Sequence, residues 1–233
     1  MALVLGGCGS SGTALIPARQ APQADQPWLL PVDALETQRL YRVKYQGPEG
    51  KLNFKLTLYL ESAERYRLLA ADPVGRKLWE LFLEPTNEAI LVDHRQKLYC
   101  HADQADQMTL VPIARLPMIA IPKLLLGFLP ASPDRRAQWV EDRVIYRDRN
   151  GELWQAGWED GALAWWSVGE QGDPTAFWRR QNEDGKAAGI FSDRRGQQQI
   201  RWREMVAERM TRPLSRPDIP ANYELGSCNP SPS

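Results

Sequence analysis

The sequence predicts a mainly β fold with small helices, in which about eleven strands form one strongly curved antiparallel sheet. Segments of alternating polar and apolar residues recur along the chain, and Gly-containing pairs such as Asn150-Gly151 and Asp160-Gly161 separate them as hairpin turns. One apolar stretch punctuated by prolines interrupts this pattern. We expect residues 103–129 to form two short helices over the concave side of the sheet, because they are too apolar to stand in water.

The alternation is clearest at residues 52–60. Polar side chains occupy one face of this predicted strand, and the other face carries Leu52, Phe54, Leu56, Leu58 and Leu60. Such a strand is half-buried, with one face on a core and the other in water. Later in the chain, residues 138–148 are predicted to form one continuous strand, and residues 122–126 form the second short helix, ended by Gly127.

Two predicted strands, residues 65–70 and 78–83, flank a turn with the sequence Asp72-Pro73-Val74-Gly75. Pro73 and Gly75 are typical turn residues, but Val74 is an aliphatic side chain at a position where solvent is expected. Two interpretations are open. The turn folds back so that Val74 packs on the sheet, or Val74 is an exposed apolar tip that touches a membrane or another apolar partner.

The composition excludes several functional classes. Lysine plus arginine and aspartate plus glutamate both number 29, which argues against nucleic-acid binding and against a polybasic membrane patch. The histidines are His94 and His101, and no metal-ligand spacing, phosphate-binding loop or nucleophile elbow accompanies them. We therefore expect no enzymatic activity, no metal and no cofactor.

The N-terminal residues 1–8 end in Leu5-Gly6-Gly7-Cys8, which resembles the lipobox of bacterial lipoproteins and makes Cys8 a candidate lipid anchor. The absence of Lys or Arg before Cys8 and the short apolar run depart from that pattern. The next segment is rich in Gly, Ser, Ala, Pro and Gln, as flexible tethers are. We predict a tether, a globular domain and a C-terminal tail at residues 9–37, 38–210 and 211–233.

Three cysteines are present, Cys8, Cys100 and Cys228. If Cys8 is acylated, the other two form an even set in an oxidising compartment. A Cys100–Cys228 disulfide that fastens the tail to the strand ending near His101 is then a hypothesis, which a titration of free thiols tests.

Several motifs together resemble the LolB family of bacterial outer-membrane lipoprotein receptors. The resemblance spans residues 39–208 and is strongest at residues 65–130. It rests on Arg65-Tyr66-Arg67-Leu68-Leu69, Asp72-Pro73-Val74-Gly75, Leu91-Val92-Asp93, Tyr99, the predicted helix at Asp103, Ile121-Pro122 and Leu126-Gly127-Phe128-Leu129-Pro130. Departures include Val at a position where the family suggests Leu, the N-terminus before Cys8, and the tail.

The resemblance implies an unclosed β half-barrel with a helical lid over a hydrophobic cavity. It also implies a lipoprotein anchored in the outer membrane and facing the periplasm. Such a protein accepts client lipoproteins from a LolA-like periplasmic carrier and inserts their acyl chains into the inner leaflet of that membrane. Pro73, Val74 and Gly75 would form the protruding membrane-facing loop.

The expected lining of the acyl-chain cavity is the apolar face of the strand at residues 52–60 together with Ile121 and Leu125. Two other functions remain open. One is a structural or assembly lipoprotein that binds a protein partner through its aromatic residues. The other is a carrier of a different lipid.

Overall fold

In the part of the chain that the structure describes, fourteen strands form one continuous hydrogen-bonded sheet that does not close on itself. We describe a computed structural model covering residues 28–30, 32–48, 50–86, 88–102, 121–131, 133–134, 137–160, 162–170, 173–183, 186–193 and 196–226. Among these residues, a short 3₁₀ turn, Val32–Ala34, precedes the first strand, and the α-helix α1 (Ile121–Leu126) lies between the sixth and seventh strands.

The strands of the first half of the chain are β1 (Thr37–Gly47), β2 (Gly50–Ser62), β3 (Arg65–Ala71), β4 (Lys77–Leu83), β5 (Ala89–Asp93) and β6 (Leu98–Ala102). Those of the second half are β7 (Gln138–Val140), β8 (Arg143–Arg147), β9 (Leu153–Glu159), β10 (Ala162–Glu170), β11 (Asp173–Glu183), β12 (Lys186–Asp193), β13 (Gln199–Arg209) and β14 (Glu224–Leu225).

Two antiparallel meanders, β1 to β6 and β7 to β13, join where β1 pairs with β13. The first long strand in the chain therefore lies in the middle of the sheet, between β2 and β13. At one edge β14 pairs with β6 in parallel, and at the other edge lies β7. The two edges remain apart, so the sheet is an unclosed half-barrel, as the sequence predicts.

The inner face of the sheet, which we define as the face covered by α1, carries one hydrophobic core. Tyr41 on β1, Leu58 on β2 and Trp166 on β10 are buried in the same cluster as Leu124 and Leu125 of α1. Residues from both meanders meet in this cluster because the sheet curves around α1. The polar and apolar alternation of the strands produces this face directly, since successive side chains point to opposite sides.

The inner face of the second meander is mainly aromatic. Trp154 lies 5.2 Å from Trp166 between ring centroids, and Trp166 lies 6.3 Å from Trp178 in a stacked arrangement. Phe191 of β12 packs on Trp166 at 5.6 Å. Each of these large side chains removes much apolar surface from water, so the aromatic row is a major part of the core.

The C-terminal segment, residues 210–226, covers part of the outer face. Leu214 is buried against Phe82, Ile90 and Val92, with Met210, Ile219 and Tyr223 partly buried around them. The Leu214 carbonyl accepts a hydrogen bond from Arg65 Nη2 at 3.1 Å, and Arg216 pairs with Glu84. Strand β4 is consequently buried on both faces near its end.

One predicted strand and the predicted number of about eleven strands need correction, since the described residues form fourteen strands. Residues 138–148 form two strands, because a turn at Glu141-Asp142, with Glu141 at φ 55°, folds β7 back onto β8. The end of the predicted tether contacts the core, where Trp28 lies 6.0 Å from Tyr146. Leu214, near the beginning of the predicted tail, packs on the outer face, and Glu224–Leu225 further along the tail forms β14.

Helix α1 matches the second predicted helix, and Gly127 follows it at φ 77°. The first predicted helix, at residues 103–109, and the N-terminal residues 1–27 lie outside the described residues. Within the described ranges, no helix has both the length and the apolar composition needed to cross a membrane.

Leu214→Ala should lower the free energy of unfolding by about 2–3 kcal/mol, because it leaves a cavity between the C-terminal segment and the outer face. Denaturant unfolding measures this difference. Leu225→Ala is the matched control, since Leu225 is 67% exposed, and its effect should stay within about 0.5 kcal/mol. Equal effects of the two substitutions would show that the C-terminal segment does not contribute through Leu214.

Candidate functional site

A cavity of about 190 Å³ lies under the C-terminal end of α1, against the second meander. Its lining is mostly apolar and contains Leu125, Leu126, Gly127, Phe128, Trp158, Ala162, Leu163, Trp178, Arg180, Ala188 and Trp202. Arg180 supplies the single charged side chain among these residues. The surroundings suit an apolar molecule with one polar end.

Helix α1 is placed over the cavity by its two ends. Pro122 occupies the first turn, where its missing N–H has no intrahelical role. At the other end Phe128 N donates to Lys123 O at 2.8 Å and Gly127 N donates to Leu124 O at 3.2 Å, which closes the helix in the manner that a left-handed glycine permits. Leu124 and Leu125 are thereby turned onto the inner face.

Lys123 is the charged residue of this short helix. Its Nζ donates to Pro130 O at 3.3 Å, so the side chain lies along the segment that follows α1. Burial lowers the pKa of the Lys123 ammonium group, because the charged form is less well solvated there. The helix therefore covers the core with apolar contacts and keeps its one charge at the side.

Gly189 on β12 allows the tryptophans to lie flat beneath the cavity. A Cβ at this position would come within 2.5 Å of Trp202 Cζ2 and 2.8 Å of Trp178 Nε1. A methyl group has no room there, so the close approach of the two indole rings to the strand requires glycine.

The predicted cavity residues separate into three groups. Leu125 lines the cavity, and Ile121 packs beside it on the core. Leu56, Leu58 and Leu60 are buried core residues and Phe54 is partly buried, but none of them is among the lining residues. Leu52 is 53% exposed, because β2 extends past the core there. The observed cavity thus lies on β9 to β13, away from β2.

Sequence reasoning missed Trp158, Trp178 and Trp202 as cavity residues. The available signal was the alternation of side chains along a strand. Trp154 and Trp158 are an even number of residues apart and therefore share a face of β9. Trp165 and Phe177 point instead to the outer face, where Arg143 lies over the Trp165 ring at 5.9 Å.

The Val74 turn projects from the end of the β3–β4 hairpin. Val74 is 80% exposed, so its side chain does not fold back onto the sheet. Asp72 organises the turn: its Oδ1 accepts hydrogen bonds from Val74 N at 3.0 Å and Arg76 N at 2.9 Å, and its Oδ2 accepts from Arg76 Nε at 2.6 Å. Gly75 adopts φ 96°, a conformation that glycine permits readily.

The pKa of the Asp72 carboxyl is set by opposing effects. Desolvation raises it, but the hydrogen bonds from the Arg76 side chain and from the Arg76 and Val74 backbone, together with the Arg76 charge, lower it below the ordinary value of 3.8. A carboxyl with a lowered pKa contributes stability above its ordinary pKa and loses that contribution as the pH falls through the lowered one. The turn is therefore held by the ionised form of Asp72.

The remaining predicted residues are placed as follows. Cys100 is buried and disulfide-bonded, while Cys8 and Cys228 lie outside the described residues. Gly226 N donates to Tyr99 O at 2.7 Å, which brings the C-terminal segment alongside β6. The Cys100–Cys228 pairing stays a prediction.

His94 belongs to a polar cluster beneath the C-terminal segment. Its Nδ1 lies 2.9 Å from Tyr223 Oη, and its Nε2 lies 3.8 Å from the buried carboxylate of Glu80. Burial and the nearby Lys77 charge lower the pKa of His94. Among the described residues no group of three or more His, Cys, Asp or Glu is arranged to hold a metal ion.

Asp72→Ala should accelerate hydrogen exchange of the Val74 and Arg76 amides by about fivefold or more, because both lose their common acceptor. Exchange measured by NMR near neutral pH reports this directly. Asp93→Ala is the matched control, since Asp93 Oδ1 accepts from Arg95 N and Gln96 N in a separate turn. Unchanged exchange at Val74 in Asp72→Ala would contradict the assigned role of Asp72.

Comparison with known proteins identifies similar solved structures. No protein-family model matches the sequence, and no curated protein matches it. A LolA superfamily protein from Nitrosomonas europaea superposes with a TM-score of 0.51 at 11% identity, over 80% of this chain and 90% of that one. A candidate outer membrane lipoprotein-sorting protein domain from Vibrio parahaemolyticus gives 0.48 at 6% identity, over 76% and 86%. The superposition on the Nitrosomonas europaea protein shows that the two chains share a fold.

Proposed function

We propose that this protein binds acyl chains of lipoproteins under α1 and delivers them into a membrane with the help of the Val74 turn. The observation that carries the proposal is the combination of an apolar, Trp-lined cavity with an 80% exposed aliphatic turn tip on one rigid sheet. The fold shared with a LolA superfamily protein supports it. In its specific form, the protein acts as a LolB-type receptor.

The LolB-type form places the protein as a lipoprotein on the periplasmic side of the outer membrane. The candidate anchor is Cys8, and residues 9–27 would act as a tether that lets the folded part move relative to the membrane. Its partners would be a LolA-like periplasmic carrier and client lipoproteins. No catalytic residue, metal or cofactor takes part in this function.

Transfer needs no chemical energy in this scheme. Each methylene moved from water into an apolar site contributes about 0.8 kcal/mol, so an acyl chain moves towards the site that covers more of it. A chain passes from a carrier to the cavity and then to the bilayer, which covers it completely.

Loading requires α1 to move. The cavity of about 190 Å³ is smaller than the range of about 300–1,000 Å³ typical of small-molecule sites. In the proposed mechanism this is the conformation before loading, in which Leu124 and Leu125 occupy space that a chain would take. A six-residue helix held mainly by apolar contacts can be displaced by a ligand that replaces those contacts.

The alternative of a structural lipoprotein with an aromatic partner surface has less support. Trp154, Trp158, Trp166 and Trp178 are buried, and Phe177 on the outer face is 40% exposed. The carrier of another lipid would use the same cavity, and the identity of bound acyl species separates it from the proposed function.

Val74→Glu should load an acylated client normally but deliver it to liposomes about tenfold more slowly or worse, because a charged tip does not enter apolar surroundings. Delivery is measured by transfer of a fluorescent client lipoprotein from the purified protein to vesicles. Val140→Glu is the matched control, since Val140 is 56% exposed on the edge strand β7. Equal delivery by the parent and Val74→Glu would exclude the role of the tip.

Ala162→Trp should impair loading of the client rather than its delivery. Ala162 lines the cavity and is not fully buried, so a large ring there fills the opening without overpacking the core. We expect loading of the client to fall about tenfold. Ala207→Trp, at an exposed position of β13, should load normally. Normal loading by Ala162→Trp would show that acyl chains bind elsewhere.

A further inference from the structure

The outer face of three neighbouring strands carries a concentration of positive charge, which we call the basic face. It comprises Arg42 and Lys44 on β1, Lys51 and Lys55 on β2, and Arg201 and Arg203 on β13. The strand register places Arg42 directly between Lys55 and Arg203, and Lys44 opposite Arg201. Most of these side chains are exposed, and Arg203 is partly so.

The basic face has no carboxylate in its described rows. The other outward positions in these rows hold Gln46, Asn53 and Gln199, which are uncharged. Glu204, next to Arg203 on β13, lies opposite the inward-facing Tyr41 and pairs with Arg39 at 2.8 Å. Although the chain has 29 residues of each charge, this region is strongly positive. The balanced net charge of the whole chain argues against a polybasic membrane patch, but it does not describe the charge of this part of the surface.

Like charges directly opposite each other destabilise a sheet. Lys55 and Arg42 lie directly opposite each other on adjacent strands, and the packing of the core does not require them because both point outward. Such a cost is offset when anions bind between the cations. The register thus indicates a binding surface.

Two adjacent grooves on the basic face have room for anionic groups. One, of about 200 Å³, is lined by Arg42, Lys44, Arg201 and Arg203 together with Gln181 and Trp202. The other, of about 230 Å³, is lined by Lys44, Lys51 and Arg201 with Tyr45, Gln46, Asn53 and Gln199. Lys44 and Arg201 belong to both grooves, so the two form one continuous surface.

The basic face reaches the same end of the sheet as the Val74 turn. Lys55 pairs with Ala71, the last residue of β3 before that turn. Lys51 lies four residues further along β2, about 13 Å in the direction in which the turn projects. Leu52 beside it is 53% exposed and Val74 is 80% exposed. Cations and exposed aliphatic side chains therefore lie together at one rim of the half-barrel.

We propose that the basic face docks on an anionic phospholipid surface and orients the half-barrel so that Val74 meets the bilayer. Lipid phosphates suit clustered lysine and arginine side chains, and aliphatic side chains beside them suit the boundary with the acyl chains. An acidic protein would match the charges but not the exposed Leu52 and Val74. The inference rests on the proposed function, since it specifies the membrane that receives the cargo.

Vesicle co-sedimentation of the full chain tests this proposal. A Cys8→Ser form is used so that no acyl anchor contributes. The two vesicle types are phosphatidylcholine alone and phosphatidylcholine in which one third of the lipid is replaced by phosphatidylglycerol. The protein should bind the anionic vesicles at least about tenfold more tightly, and high salt should remove the difference.

The test variant is Lys44→Glu/Arg201→Glu, which should lose about tenfold or more of the affinity for anionic vesicles. Arg209→Glu/Arg212→Glu changes the charge equally at two exposed positions, the last residue of β13 and a residue just after it, at the opposite end of that strand, and should bind like the parent. Thermal unfolding of each variant shows whether it is folded.

Three results would overturn the proposal. They are equal binding to both vesicle types, equal loss in the two double variants, and binding of polyglutamate as tight as that of anionic vesicles, which would indicate an acidic protein partner. Client loading is measured on the same samples. Failed loading with intact vesicle binding would contradict the proposed function but not the binding of the basic face to anionic membranes.

Discussion

A single sheet whose inner face is apolar along most of its length has to be covered, and the rest of this structure depends on that requirement. The two meanders meet through β1 and β13, so leucine and tyrosine side chains of one half and tryptophans of the other share one core. Curvature brings them together, and α1 covers what curvature leaves open. The cavity exists because large indole rings and a short helix do not fill this space completely.

The outer face is covered by the C-terminal segment in one region and exposed to water in another. Over β4 to β6 the C-terminal segment buries Phe82, Ile90 and Val92, which gives this part of the sheet two cores. Over β2, β1 and β13 the outer face stays in water and carries the basic face. The Val74 turn lies between these regions, at the end of the hairpin β3–β4. The proposed cargo cavity thus lies on the inner face of β9 to β13, and the proposed membrane contact lies on the outer face of β2, β1 and β13, so the two surfaces share β13.

Local patterning was enough to predict much of the fold. The alternation at residues 52–60 identifies the inward side of β2, and the Pro122 and Gly127 pair identifies both ends of α1. The pairing of β1 with β13 joins residues far apart in the sequence, and alternation within one strand carries no information about its partner. Docking of the C-terminal segment escaped prediction for a similar reason, since Leu214 and Ile219 stand among prolines without a period.

The site was predicted less completely than the fold. An apolar strand face marks residues that point inward, but whether they pack tightly or line a space depends on the curvature of the whole sheet. Hence the β2 leucines fill the core, while Trp158, Trp178 and Trp202 border the cavity. The turn at Val74 was singled out by its polarity, and its exposure excludes the interpretation in which Val74 packs on the sheet. The basic face needed the register of three strands, which the sequence does not contain.

In the proposed function, acyl chains bind between α1 and the tryptophans of the inner face. Photocrosslinking with a client lipid whose acyl chain carries a photoactivatable group, followed by mass spectrometry of the labelled peptides, tests this most directly. The proposed binding predicts labels on residues 121–128 and on the peptides that contain Trp158, Trp178 and Trp202. Labels confined to the outer face, or a pattern that Ala162→Trp leaves unchanged, would contradict it.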